Sequence, residues 1–244
     1  MPSRSLTDRM EGRLAAGLIA AESVVVISPH CDDEVVGCGG TVLRYLECGA
    51  RVDVAYLTDG PCSREKGDRI LRSEEAVAVW ESRGGVRLRF LHVPDKSLCS
   101  NKLDAAEFVE QTLRECHAEI VLVPWCFDAH PDHYYSAWIT AMVANRVETV
   151  ELVGSYEVQY PVLSNHTIDI SRWFEAKMDL LSRYKSQDSR RLRKTVESLN
   201  RFRACSLGLA SYTFAEGFFF ARPVEFWRVV ESSPLLLGVR HDGD

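Results

Sequence analysis

Between Val24 and Arg146 short β-rich runs alternate with longer helical ones, and this alternation limits the fold more than any other feature of the chain. Strands are expected near 24–28, 52–58, 87–91 and 120–123, and helices near 41–48, 68–82, 105–116 and 131–146. A strand that returns to its sheet through a helix lies parallel to its predecessor, and a parallel sheet is covered on both faces. The expected fold class is therefore α/β, a three-layer Rossmann-like sandwich with a mostly parallel central sheet. The last third reads differently: "VGSYEVQYPV" and "HTIDIS" suggest further strands, helices follow at about 172–183 and 189–204, and "EGFFFARPV" forms another strand. No Gly/Ser linker, repeat or low-complexity tract interrupts the chain, so residues 1–244 are read as a single domain. Within it, Leu6, Met10, Leu14 and Leu18 recur every four residues and mark an amphipathic docking helix over residues 1–22. The run "LAAGLIAA" has the look of a signal-peptide core, but Asp8 and Glu11 precede it and a strand pattern follows at once.

Charge and cysteine usage remove several classes of partner. A formal net charge of -6 opposes any sequence-independent grip on nucleic acid, which needs a positive surface excess. No apolar stretch approaches the roughly 20 residues that cross a bilayer, so no membrane partner is expected. Eight cysteines, at 31, 38, 48, 62, 99, 116, 126 and 205, contain no CxxC pair, and reduced thiols in a cytoplasmic protein fit them best. The sequence is compatible with a homo-oligomer without requiring one.

In an open parallel sheet the ligand lies beyond the carboxyl ends of the strands. Three of those ends carry unusual polar residues: His30 to Glu34, "TDG" at 58–60, and "PWCFDAHPDH" at 124–133. The charges of Asp32, Asp33 and Glu34 would repel one another unless a cation sat among them. His30 and Asp33 are three apart just past a strand, and His130 and His133 repeat that spacing. Pro131 suits a helix's first position, which puts His130 at the entry and His133 one turn on. Two histidines and one carboxylate make an open metal site, whose fourth position holds a water with a pKa of about 7. Asp32 is then a carboxylate beside the metal, able to accept the proton of the attacking water. A lone histidine at a strand end is more often a structural hydrogen-bonding residue; the conjunction of H-x-x-D and H-x-x-H on one sheet edge favours the metal. The same donors describe the facial triad of a non-haem iron oxygenase, which the extra groups Asp32 and His130 and the parallel order speak against. Gly37, Gly39 and Gly40 lack the G-x-G-x-x-G spacing of a dinucleotide turn and read as close strand-to-helix packing.

"SPHCDDEVVGCGGT" together with "HPDH" resembles the PHPDDE and HPDH signatures of the LmbE/PIG-L superfamily of zinc-dependent N-acetylglucosaminyl deacetylases. The likeness runs from about Val24 to Phe220, through "LTDG" at 57–60, Arg72, Glu75, "YEVQYP" at 156–161, "DIS" at 169–171, Lys177, "YKSQ" at 184–187 and "FAEGF" at 214–218. It implies zinc ligands at His30, Asp33 and His133, with Zn2+ as cofactor and Fe2+ or another divalent ion as substitute. It implies Asp32 as general base, His130 as the group that polarises the acetyl carbonyl, Asp132 as its hydrogen-bonded support, and Arg72 and Asp95 as holders of sugar hydroxyls. The partner it implies is a small N-acetylated amino sugar or its glycoside, and the alternative is a sugar-binding or regulatory module that keeps the metal without hydrolysis. Cys31 stands where the family usually has proline, and its acidic setting disfavours a reactive thiolate. Glu34 is expected to orient a ligand or the turn. Arg190, Arg191, Arg193, Lys194, Arg201 and Arg203 make the 189–203 helix basic, more simply a solvated face than an anion site. Trp125, Phe127, Tyr134 and Tyr160 flank the pocket, where sugar stacking and core packing explain aromatics equally well.

Overall fold

Strand β1 (Ser23–Ser28) is buried at every position, which a strand with one wet face cannot be. Its pleat divides it between two cores. Val24 and Val26 pack on one face of the sheet with Val52, Val54 and Tyr56, while Val25 and Ile27 pack on the other with Ala55, Leu57 and Val121. Each fully buried aliphatic side chain contributes about 1.5–3 kcal/mol, so a strand dry on both faces belongs at the centre of the sheet. The structure, a computed structural model, describes residues 17–59, 72–187, 189–206 and 213–233.

The other strands are β2 (Arg51–Thr58), β3 (Val86–Val93), β4 (Ile120–Pro124), β5 (Leu152–Tyr156), β6 (His166–Asp169) and β7 (Ala215–Ala221). They form one seven-stranded sheet in the order β3-β2-β1-β4-β5-β7-β6. The first five are parallel, and β7 runs antiparallel to both β5 and β6. Helices α1 (Asp33–Glu47), α2 (Arg72–Glu81), α3 (Lys102–Cys116), α4 (Pro131–Ala144), α5 (Phe174–Ser182), α6 (Ser189–Ser206) and α7 (Pro223–Glu231) cover the two faces. The α/β class and the mostly parallel sheet agree with the sequence reading. Strand order reverses between β1 and β4, the place where a doubly wound sheet opens a crevice at its carboxyl edge.

Several boundaries differ from expectation. Helix α1 begins at Asp33 rather than near 41, because Gly37, Gly39 and Gly40 weaken helix propensity without preventing a helix that packs closely. "VQYPV" is not strand: β5 ends at Tyr156. α7 was not expected; Pro223 stops β7 and starts this helix at its first turn. Most of the docking helix placed over residues 1–22 lies outside the described residues, Leu6, Met10 and Leu14 included. Residues 17–22 are not helical, and Ile19 enters the core while its carbonyl accepts from Tyr45 Oη at 2.9 Å. Among the described residues seven cysteines are free thiols, Cys62 lying outside them, and no helix is long and apolar enough to cross a membrane.

Gly37 is where α1 presses on β5. A Cβ there would lie 2.1 Å from Tyr156 Cδ2 and 2.7 Å from the Glu157 carbonyl oxygen. Alanine gains about 1 kcal/mol of helix propensity but overpacks a site whose backbone cannot step aside, at a cost of up to about 3 kcal/mol. Gly37→Ala is therefore expected to lower stability by about 2 kcal/mol, read as a shifted urea midpoint with an unchanged slope.

Candidate active site

β1 ends at Ser28, and the turn that follows is tied down atom by atom. Thr58 donates to the Pro29 carbonyl through both its backbone N–H (2.9 Å) and its hydroxyl (2.8 Å), and Ser28 Oγ donates to the His30 carbonyl at 2.7 Å. Asp32 has φ 149° and ψ -25°, a region that residues with a Cβ rarely adopt and that costs about 1–3 kcal/mol. Glu34 holds it there. Its Oε2 accepts from the Asp32 N–H and from Ser28 Oγ, each at 3.2 Å, and its Oε1 accepts from Tyr184 Oη (2.6 Å), Tyr56 Oη (2.8 Å) and Trp80 Nε1 (3.1 Å). Burial pushes the Glu34 carboxyl up, and these donors oppose the push. A fully buried carboxylate with five donors is a structural pin, in keeping with the role expected of Glu34.

Asp32 occupies the N-cap position of α1, yet its side chain makes no capping hydrogen bond. It lines a cavity of about 760 Å³ with His30, Asp33, His130 and His133. Burial, then the charges of Asp33 and Glu34, push its carboxyl well above the usual range, against the pull of Arg72 and His30. Cys31 is fully buried, and burial with the charges of Glu34 and Asp32 raises its thiol pKa, which disfavours a thiolate.

Asp33 stands between two imidazoles. Its Oδ2 is 3.0 Å from His30 Nδ1 and 3.2 Å from His133 Nε2. Each imidazole meets a second carboxylate on its other nitrogen: Asp95 Oδ1 is 3.1 Å from His30 Nε2, and Asp128 Oδ1 is 3.1 Å from His133 Nδ1. The Asp128 contact has ion-pair distance but falls short of good hydrogen-bond alignment. Burial opposes charge on all three central groups, but their mutual attraction wins: His133 is held up at about 9, His30 is raised, and Asp33 is driven far down.

His130 caps α4. Its Nδ1 accepts from the Asp132 backbone N–H at 3.2 Å, so the ring proton resides on Nε2. Burial and the neighbouring His30 and His133 lower its pKa, which keeps it neutral. The hydrogen bond expected between Asp132 and His130 is made by the Asp132 backbone N–H and not by its carboxylate. Asp132 instead accepts from the N–H groups of Lys96 (2.7 Å) and Leu98 (3.3 Å), with Oδ2 3.4 Å from His30 Nε2, because its place in the first turn of α4 aims it at the 96–98 loop. Asp95 lines the cavity but also backs His30, and Arg72 lines it from α2; Gln187, with its amide oxygen turned inward, accepts from Arg72 Nε at 2.9 Å. Of the basic α6 residues Arg191 faces the cavity, while Arg203 pairs with Glu157 and Arg201 with Glu197. Of the four aromatics only Tyr160, 51% exposed, lines the cavity; Trp125 and Tyr134 are core.

The sequence reading passed over Asp128. It is fully buried, accepts from the N–H groups of Gln159 (2.8 Å), Tyr160 (3.2 Å) and His130 (3.2 Å), and is held below the usual carboxylate range by His133 and these donors despite its burial. The signal was an acid in the same segment as two histidines, each of which needs an acceptor for its second nitrogen.

Two sets of donors in this cluster are close enough to share a cation: His30, His130 and His133, and His30, Asp95, His130 and Asp132, each set with its ligand atoms within 4.8 Å of one another. Asp33 belongs to neither set: with His30 and His133 it has ligand spacing on the two edges it shares, but the three ligand atoms do not all lie within 4.8 Å of one another. Ligand atoms 2.0–2.1 Å from zinc at the tetrahedral angle lie roughly 3.4 Å apart, close to the two Asp33 separations. In that arrangement both histidines also keep a carboxylate on the nitrogen turned away from the ion.

Residues 25–143 match the PIG-L family, described as GlcNAc-PI de-N-acetylase. Diacetylchitobiose deacetylase of Thermococcus kodakarensis is 25% identical over 239 residues, covering 87% of this chain and 88% of that protein. Among solved structures, N,N'-diacetylchitobiose deacetylase of Pyrococcus horikoshii superposes with a TM-score of 0.75 at 20% identity, covering 91% of each chain. GalB of Pseudomonas putida KT2440, a 4-carboxy-2-hydroxymuconate hydratase, gives 0.72 at 20% identity over 82% of this chain and 96% of its own. At such identities the two superpositions carry the fold alone.

Proposed function

From the match of residues 25–143 to the PIG-L family, we propose that the chain is a metal-dependent hydrolase that removes the acetyl group from an N-acetylglucosamine-type amino sugar or its glycoside. The observation that carries this reading is the division of labour around one cavity. Asp33 stands 3.0 and 3.2 Å from two imidazoles, while Asp32, just before it in the chain, keeps a carboxylate that caps nothing and lines the same space. His30, Asp33 and His133 would hold the ion, Zn2+ first and Fe2+ or another divalent ion as substitute. A divalent ion held there would supply Lewis acidity toward water and the acetyl oxygen. Asp32 takes the proton from the attacking water, and its raised pKa suits a base that must later give that proton back. His130 is neutral with its proton on Nε2, so it acts as a hydrogen-bond donor to the carbonyl oxygen as charge develops there. A neutral donor is a poor acid, which leaves Asp32 to protonate the departing amine as the C–N bond breaks. Water is consumed, and acetate and a free amino sugar are released. Arg72 and Asp95, with Asp132 steadying the 96–98 loop, would bind the sugar.

Asp128 backs His133 in this reading, and loss of such a carboxylate commonly weakens metal binding. Asp128→Asn is expected to raise the zinc Kd about 10–100-fold, measured by chelator competition.

The direct test is incubation of the zinc-loaded chain with N-acetylglucosamine, N,N'-diacetylchitobiose and N-acetylglucosaminides carrying charged aglycones. Acetate and primary amine should appear in equal amounts. One rival reaction, hydration as in the name of GalB, is addition of water to a carbon–carbon double bond, which yields neither product. Loss of an enoic substrate's ultraviolet absorbance with no amine from any sugar would replace the deacetylase reading with that one.

A further inference from the structure

Helix α1 is broken at Cys38 (φ -138°, ψ 17°), so carbonyls before the break and N–H groups after it lose their helical partners deep in the protein. A buried ion pair takes their place. Lys177 Nζ, from α5, donates to the Val36 carbonyl at 2.8 Å, while Glu216, from β7, accepts from the Gly40 N–H with Oε1 (2.9 Å) and from the Thr41 N–H with Oε2 (2.8 Å). Lys177 Nζ and Glu216 Oε1 are 2.7 Å apart, and the third ammonium proton goes to Asn200 Oδ1 at 3.1 Å. Both charged side chains are fully buried. The pair thus ends one half-helix and starts the next.

The first half-helix, Asp33 to Gly37, is the part that faces the cavity. Val36 lines that cavity, Asp33 opens the same segment, and Gly37 is wedged against Tyr156 and the Glu157 carbonyl. Three contacts therefore fix five residues: Glu34 to the turn, Gly37 to the end of β5, and Val36 to Lys177.

We propose that Lys177 and Glu216 are positioning residues for the metal site: by bridging the break in α1 they fix the half-helix that presents Asp33, and hence the affinity of the cluster for a divalent ion. This rests on the reading of Asp33 as a ligand. Removing one partner would strand a buried charge, so the informative change is the neutral pair Lys177→Met/Glu216→Gln. That variant should fold, at a lower melting temperature because the Val36 carbonyl loses its donor, yet bind zinc at least about tenfold more weakly and lose kcat at constant KM. Folded double variant with parental zinc affinity overturns the proposal and leaves the deacetylase reading intact. A parent that binds zinc but deacetylates nothing does the reverse. If the double variant does not fold, the parent decides by reciprocal coupling: zinc should slow hydrogen exchange at the Gly40 and Thr41 amides at least about fivefold relative to amides of α3, and unchanged exchange overturns the proposal.

Discussion

Asp32→Asn is expected to lower kcat for acetate release at least about a hundredfold while leaving the zinc Kd within severalfold of the parent, because it deletes the base and none of the ligands. Asparagine is the right replacement for a reason written in the backbone. Asp32 has φ 149°, and asparagine and aspartate tolerate positive φ better than other residues with a Cβ. Alanine would remove the carboxylate and strain the turn together, confounding base loss with displacement of His30 and Asp33. The Asp32 side chain caps nothing, so asparagine sacrifices no hydrogen bond of α1. Its backbone N–H can still meet Glu34 Oε2, and the pin of Glu34 into Tyr56, Tyr184 and Trp80 is untouched. Steady-state kinetics by acetate assay, with metal content measured on the same sample, separates the effects. An Asp32→Asn enzyme that retains both metal and full turnover would assign the proton transfer to another group.

The sequence exposed the ends of the strands better than the ways in which side chains reach across them. Hydrophobic runs located β1, β2 and β4 within a residue, since a strand buried on both faces must be largely apolar, and the alternation of "VRLRF" located the half-exposed edge strand β3 within two. H-x-x-D and H-x-x-H were legible because each lies within one turn of chain. Their meeting was legible only through the general behaviour of doubly wound sheets, and it follows from the pairing of Val24 with Ile120 across adjacent parallel strands. Asp128 was not found, because its work depends on which nitrogen of His133 turns away from Asp33, a fact of side-chain packing. For the same reason the way Asp132 supports its neighbours was not legible: its backbone N–H reaches His130 Nδ1, while the first turn of α4 directs its carboxylate to the Lys96 and Leu98 amides. The break in α1 was hidden as well. Glycines signalled close packing, yet the pair that satisfies the broken helix comes from positions 177 and 216, far away in sequence.

The two histidines of "HPDH" should part company when each is replaced. His133→Ala is expected to abolish tight zinc binding and, with it, acetate release; His130→Ala is expected to keep the metal and lose about 10²–10³ in kcat, the usual cost of one donor to a developing oxyanion. The three rings crowd together, with His30 and His130 centroids 4.5 Å apart and His130 and His133 5.1 Å apart, so distance alone gives His130 as good a claim to the ion. Proton inventory separates them. His130 Nδ1 is occupied as the acceptor that starts α4, and its Nε2 carries a proton; ligation through Nε2 would expel that proton with no carboxylate behind the ring to compensate. His133 has Asp33 on one nitrogen and Asp128 on the other, and these two anions already hold its pKa at about 9. A cation entering beside Asp33 replaces protons that the carboxylates have attracted, so the field that charges His133 in the metal-free chain is the field that binds the ion. Zinc titration of the two variants reads the difference directly. Loss of zinc in His130→Ala together with its retention in His133→Ala would move the ion to the set formed by His30, Asp95, His130 and Asp132.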